Sequence, residues 1–235
     1  MITKDEQIRY SRLIAIEDIG KEGVERLKES TVLVVGCGAL GSMAAIQLAA
    51  SGIGRLRIVD FDTIDLSNLQ RQFFFKAEDT GQFKVSVLSQ RITGLNPAVR
   101  VEAVEGILNK NNAKSLVSGC DFVVDATDNY ASMALIDSIC NETNVNCVLA
   151  GVSGFSGQVM TCLPGLRRYS DIFPAVEDSG VLPCSLTGVA GPAAAVAASV
   201  EAAETIKSLV GLDSLLSDKL FVFDLLNMKF NIIHT

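Results

Sequence analysis

The glycine triplet Gly36-x-Gly38-x-x-Gly41 constrains this chain most, because of what stands on either side of it. The run before it, 31–35, is apolar and mostly β-branched, as a strand buried on both faces should be. The run after it, 40–50, is alanine-rich and helix-forming, and a second apolar run, 55–60, ends in Asp60. A strand, a tight turn, a helix and a second strand in so short a span predict a βαβ unit. The rhythm continues, with strands expected at 99–104, 121–126 and 147–151 and helices at 84–95, 111–118 and 130–141. The fold class is therefore α/β, a doubly wound, mostly parallel Rossmann-like sheet. After Gly151 the pattern changes: "GQVMTCLPG", "KLFVFD" and "MKFNII" read as strands around one long helix at 193–209. These add antiparallel C-terminal strands to the same sheet. Thr3-x-x-Glu6 is a capping box, opening a helix through "DEQIRYSRLIAI" in a helical segment of about 1–30. With no internal repeat or linker, residues 1–235 read as a single domain.

Charge and composition exclude several function classes. A net charge of −7 with no Lys/Arg run argues against nucleic acid as a partner. The N-terminus lacks a basic stretch followed by an apolar one, so no secretory signal is expected. Residues 179–200 carry no charge, yet Pro183, Pro192 and the many alanines suit a buried helix better than a membrane span. A cytoplasmic protein without membrane contact is the expectation. Its cysteines, Cys37, Cys120, Cys140, Cys147, Cys162 and Cys184, form no C-x-x-C pair, so they are expected to be reduced and no structural zinc is expected. The single histidine, His234, stands next to the last residue, which leaves the interior without an imidazole base. Residues 166–187 form the longest stretch without periodicity, a length that in compact domains marks a functional or mobile loop or a plain surface excursion.

The glycine loop reports a nucleotide rather than a reaction. Gly36 allows a tight turn, Gly38 lets a phosphate approach the backbone, and Gly41 lets the helix pack closely. Free N–H groups at the helix start favour an anion, and Asp60 can accept ribose hydroxyls. NAD, FAD and ATP satisfy these features equally well. The next segment, "DFDTIDLSNLQRQFFF", discriminates. A triphosphate runs away from the adenosine and needs neutralising charge, which Arg71 and Lys84 would supply. Asp128, in "DATDN", follows a strand's C-terminal end, where a carboxylate can hold Mg²⁺ against phosphate oxygens. Blander roles exist for each residue. Arg71 and Lys84 could be ordinary surface cations, Asp128 the cap of a helix starting at Tyr130, Cys37 a small buried hydrophobe, and 73–75 packing.

Taken together, "RYSR" (9–12), "GCGALG", "DFD", "SNLQRQ" (67–72), Lys84, "LNP" (95–97) and "DATDN" (125–129) resemble the ThiF/MoeB/HesA adenylyltransferases, bacterial relatives of ubiquitin-activating enzymes. The resemblance runs along nearly the whole chain. It implies a homodimer that binds ATP and Mg²⁺ and adenylates the C-terminal glycine of a small ubiquitin-fold sulfur-carrier protein ending in Gly-Gly. Carried over by motif, Gly36, Gly38, Ala39, Gly41, Asp60, Ser67, Asn68, Leu69, Gln70 and Arg71 would line the nucleotide. Lys84 would contact phosphates, Asp128 would hold magnesium beside Asn129, and Arg12 would reach into the partner subunit's site. The chain departs from the family in two places. Ala39 replaces the third glycine of GxGGLG, and the two zinc-binding C-x-x-C pairs of many members are absent. Some relatives place a cysteine near Cys184 that attacks the activated carrier, although adenylation itself needs no thiol. Other readings are a family member of the tRNA threonylcarbamoyladenosine dehydratase type, an NAD-dependent oxidoreductase, and a non-catalytic nucleotide-binding partner protein.

Overall fold

The computed structural model describes residues 2–173 and 188–235. Eight strands form one sheet: β1 (Thr31–Val35), β2 (Arg55–Asp60), β3 (Arg100–Glu105), β4 (Phe122–Asp125), β5 (Asn146–Ser153), β6 (Ser156–Cys162), β7 (Lys219–Asp224) and β8 (Lys229–His234). They lie in the order β3-β2-β1-β4-β5-β6-β7-β8. The pairs from β3 through β5 are parallel, and those from β5 through β8 are antiparallel. The chain builds outward from β1 in one direction to β3, then returns to β4 on the other side. That reversal opens a crevice at the C-terminal ends of β1 and β4, where ligands of open α/β sheets bind.

Alternation along β1 sorts the core into two layers. Val32 and Val34 face one hydrophobic cluster, whereas Leu33 and Val35 face the other. The first layer is covered by α3 (Gly20–Glu29), α4 (Ala39–Ser51), α5 (Lys84–Leu95) and the long α9 (Gly191–Val210). The second is covered by α6 (Ala113–Val117), α7 (Tyr130–Thr143) and α8 (Tyr169–Ile172). Helix α9 starts with proline in its first turn and stops at Gly211, whose φ of +84° suits glycine. Its alanines Ala193, Ala194, Ala197, Ala198 and Ala202 are buried, so it packs closely on α4 and the sheet.

The N-terminus differs from the single helix expected there. The capping box of Thr3 and Glu6 forms, but the helix breaks into α1 (Lys4–Arg9) and α2 (Ser11–Ile14) at Tyr10. Long-range contacts cause the break. The Tyr10 hydroxyl accepts a 2.8 Å hydrogen bond from Asn96 Nδ2, and its ring sits over Gly52, where a Cβ would come within 2.7 Å.

Two buried acids on α9 differ sharply in how they are satisfied. Glu204 accepts bonds from Thr161 Oγ1 and the Leu216 amide, each at 2.6 Å, and pairs with Lys207. Glu201 is fully buried, and neither carboxylate oxygen has a hydrogen-bond partner among the described residues. Burial first, and the nearby Asp125 second, hold its carboxyl well above the usual range. Asp125 is itself pushed up to about 6 by burial. An acid whose folded pKa is raised binds its proton more tightly in the native state. Its stability contribution is therefore present below the unfolded pKa and is lost as pH rises toward the folded one. Glu201→Gln should raise the melting temperature at pH 8 and remove the part of the decline with rising pH that Glu201 contributes above about pH 6, where Asp125 has already titrated. Thermal melts between pH 5 and 9 check this; parallel curves for the two proteins would refute it.

Candidate active site at the sheet switch point

The crevice between β1 and β4 is shaped by glycines that cannot be replaced without collision. Gly36 has φ +92°, and a Cβ there would lie 2.6 Å from the Ala126 carbonyl oxygen. At Gly41 a Cβ would lie 1.8 Å from the Gly36 carbonyl oxygen. Gly38 is different: a Cβ would meet only Gln72 Nε2, at 3.7 Å. Nothing in the fold demands glycine at 38, so the space over it is free for a ligand. Ala39 opens α4 and packs on the core with its methyl, so this departure from the family's loop is turned inward.

Asp60, at the end of β2, is buried and ties the loop down. Its Oδ2 accepts the Cys37 amide at 2.6 Å and its Oδ1 accepts the Asp62 amide at 2.7 Å. Each oxygen keeps a second lone pair for a ligand hydroxyl. Cys37 is fully buried, and burial with the Asp60 charge keeps its thiol well above its ordinary value, so it is a small neutral packing group. Lys84, the first residue of α5, is buried and paired with Asp62 Oδ2 at 2.7 Å. It is therefore not a loose surface cation; the fold keeps an ammonium beside the glycine loop.

The "SNLQRQ" segment forms a short 3₁₀ turn, Leu66–Asn68, capped by Asp65, whose Oδ1 accepts the Ser67 amide. Ser67 and Gln70 are exposed, Asn68 and Leu69 half-buried, and the Asn68 side chain accepts the Asp65 amide. Arg71 is half-buried and donates from Nη1 to the Ser67 carbonyl at 3.0 Å. Gln70 O and the Phe73 ring abut Gly191, which anchors this turn to the start of α9. Of the three phenylalanines, Phe75 is buried in the core, whereas Phe73 is 51% exposed.

Past β4, the helix cap is not Asp128. Asn129 caps α7, its Oδ1 accepting the Ser132 amide at 2.9 Å. The shorter reach from one residue before the helix suits Asn129. Asp128 is exposed and makes no hydrogen bond or ion pair among the described residues, so its carboxylate is free to hold a hard cation. Two further residues lie within the quoted motifs but were given no role there. Asp125 ends β4 fully buried, with Oδ1 accepting the Thr127 amide and Oδ2 without a partner among the described residues. Gln72 is 3% exposed, and its Oε1 has no partner among the described residues. An acid closing a buried strand was the available signal for Asp125; for Gln72 it was its place at the end of "SNLQRQ".

Arg12 is not brought to this crevice. Tyr10 sits at the C-terminal end of α4, whose 13 residues span about 20 Å from the glycine loop. Arg12 lies two residues beyond, is exposed, and has no hydrogen-bond partner among the described residues. Cys184 lies outside the described residues.

The profile of the ThiF family matches residues 10–235. The SAMP-activating enzyme E1 of Haloferax volcanii is 38% identical over 223 residues, covering 94% of this chain and 83% of that protein. The sulfur carrier protein adenylyltransferase of Thermus thermophilus is 37% identical over 235 residues, covering 97% and 87%. Among solved structures, Escherichia coli MccB with ATP superposes with a TM-score of 0.81 at 25% identity, over 96% of this chain and 71% of that one.

Proposed function

The chain belongs to the ThiF family, and from that premise we infer that it is an ATP-dependent adenylyltransferase for a ubiquitin-like sulfur carrier. Its substrate in this reading is the C-terminal glycine carboxylate of a small ubiquitin-fold protein ending in Gly-Gly, and its product feeds sulfur transfer. The observation that carries the reading is the open space over Gly38 in a loop held by the buried Asp60; Lys84, buried and paired with Asp62, and Asp128, which has no partner among the described residues, supply the charges this reading needs. Residues 1–235 act as one adenylation domain in this proposal. A cytoplasmic location belongs to it too, since ATP and reducing conditions coexist there; among the described residues no helix is long and apolar enough to cross a membrane.

The chemistry needs little from the protein beyond position and charge. A carboxylate oxygen of the carrier bonds to the α-phosphorus of ATP, and the bond from that phosphorus to the bridging oxygen breaks, releasing pyrophosphate. The nucleophile is already ionised at neutral pH, which fits a chain whose single histidine, His234, is exposed on β8. Asp60 holds the ribose, and the amides at the start of α4 face the phosphates. Lys84 can exchange its Asp62 partner for a phosphate oxygen, and Arg71 faces the charge that develops as the bond breaks. Asp128 is the residue to hold Mg²⁺, which when bound offsets phosphate charge. Its free, exposed carboxylate fits a hard ion that keeps several waters. Ser67, Asn68, Leu69, Gln70 and Asn129 complete the nucleotide's surroundings.

ATP–pyrophosphate exchange that depends on the carrier tests the reading. Exchange should appear only with the carrier present, and Asp128→Ala should blunt its response to magnesium. Tight NADH binding with indifference to ATP would overturn it.

The active unit in this proposal is a homodimer, because Tyr10, two residues before Arg12, packs at the far end of α4, a helix about 20 Å long that starts at the glycine loop. The open apolar face formed by Val196, Val200, Leu216 and Phe221 is the surface assigned to the contact. Mixing inactive Arg12→Ala with inactive Arg71→Ala subunits should restore part of the exchange activity. Verified subunit exchange without recovery would remove Arg12 from the partner's site.

A further inference from the structure

Four side chains with metal-binding atoms converge in the second core layer, remote in sequence from one another. Cys147 on β5 and Cys162 on β6 are directly opposed across the antiparallel pair. Asp137 and Cys140 project from α7, three residues apart and so on one helix face. The carboxylate of Asp137 and the sulfurs of Cys147 and Cys162 all lie within 4.8 Å of one another, and all three residues are buried. The Cys140 sulfur adjoins that of Cys147. We propose that Asp137, Cys147 and Cys162, with Cys140 in reach as a fourth ligand, form a buried site for a borderline-soft divalent ion of the zinc class.

Satisfaction and charge both support this. Asp137 is 1% exposed, yet its polar contacts are long: Ser170 N at 3.4 Å, Ser170 Oγ at 3.3 Å and Arg168 Nε at 3.5 Å. A buried carboxylate held so loosely is costly unless something else binds it. On metal binding, each ligating thiol releases its proton to solvent, and nothing is oxidised or reduced. The Cys147 and Cys162 thiolates and the Asp137 carboxylate carry three negative charges, which the divalent ion and the Arg168 guanidinium balance; a Cys140 thiolate in the fourth position leaves one net negative charge. Arg168 and Ser170 on the covering segment would orient the carboxylate, as outer partners of metal ligands do. Thiolates select against magnesium, so this site is separate in chemistry from the one assigned to Asp128.

Cobalt(II) added to the whole chain under reducing conditions is the probe. One equivalent should bind, with thiolate-to-cobalt charge transfer and tetrahedral d–d bands, and zinc(II) should displace it. Cys147→Ser and Cys162→Ala should abolish these bands, whereas Cys120→Ser and Cys184→Ser should keep them. Asp137→Asn, which preserves shape, should lower cobalt affinity by at least the ~10–100-fold that loss of an outer-shell partner costs, and it serves if the cysteine variants misfold. The proposal is overturned if no bands appear. It is also overturned if they survive Cys147→Ser, vanish in Cys184→Ser, or keep full affinity in Asp137→Asn.

Discussion

Arg71→Ala should form acyl-adenylate about 10²–10³-fold more slowly than the parent chain while melting at nearly the same temperature. That range is what loss of one preorganised donor to a developing charge costs in acyl transfer. The fold should tolerate the change because Arg71 is half-buried and its only hydrogen bond among the described residues is to the Ser67 carbonyl, four residues away. Arg71→Lys should recover only part of the rate, since an ammonium lacks the planar fork that grips two phosphate oxygens. Pyrophosphate exchange with the carrier, on variants shown by circular dichroism to be folded, is the measurement. Near-normal exchange in Arg71→Ala would take the residue out of the site.

Two alanine substitutions three residues apart should fail in opposite ways. Gly41→Ala would drive a methyl to 1.8 Å from the Gly36 carbonyl oxygen, a backbone atom that cannot step aside without opening the turn. Its cost should exceed about 4 kcal/mol, the range reserved for strain and overpacking at special positions, and soluble protein should fall accordingly. Gly38→Ala meets only Gln72 Nε2 at 3.7 Å, with φ at −76°, so stability should stay within about 0.5 kcal/mol of the parent. ATP affinity should nevertheless drop at least tenfold, or about 1.4 kcal/mol, because the methyl fills the space left for phosphate. Thermal melts and calorimetric ATP titration separate the two effects. If Gly38→Ala binds ATP as the parent does, the phosphates lie elsewhere.

Much of this architecture was legible in the residues alone. A continuous β-branched run such as 31–35 tolerates burial on both faces, so it announces a central parallel strand before any partner is known. The change after Gly151 likewise announced antiparallel pairing, and β5 through β8 pair that way. The glycine loop was readable because its conformational demands are local: a positive φ at Gly36 and a close helix at Gly41.

Other features were decided by the tertiary structure alone. Tyr10 breaks the first helix because Asn96 and Gly52 receive its side chain, and local periodicity carries no trace of either. Asn129 rather than Asp128 caps α7, a choice set by where β4 ends relative to the helix. Lys84 finds Asp62 twenty-two residues earlier, and Glu201 ends without a partner among the described residues, near Asp125, because α9 packs across β4, β5 and β6. The lack of any C-x-x-C spoke against zinc, yet packing α7 on β5 and β6 gathers three thiols and a carboxylate. The physical reason is one of range. Spacing along the chain reports which face of an element is apolar and which turns are permitted, because those depend on neighbours a few residues away. Which distant polar groups meet in a low-dielectric interior depends on how the layers are stacked, and that is where pKa shifts, free carboxylates and ligand clusters arise.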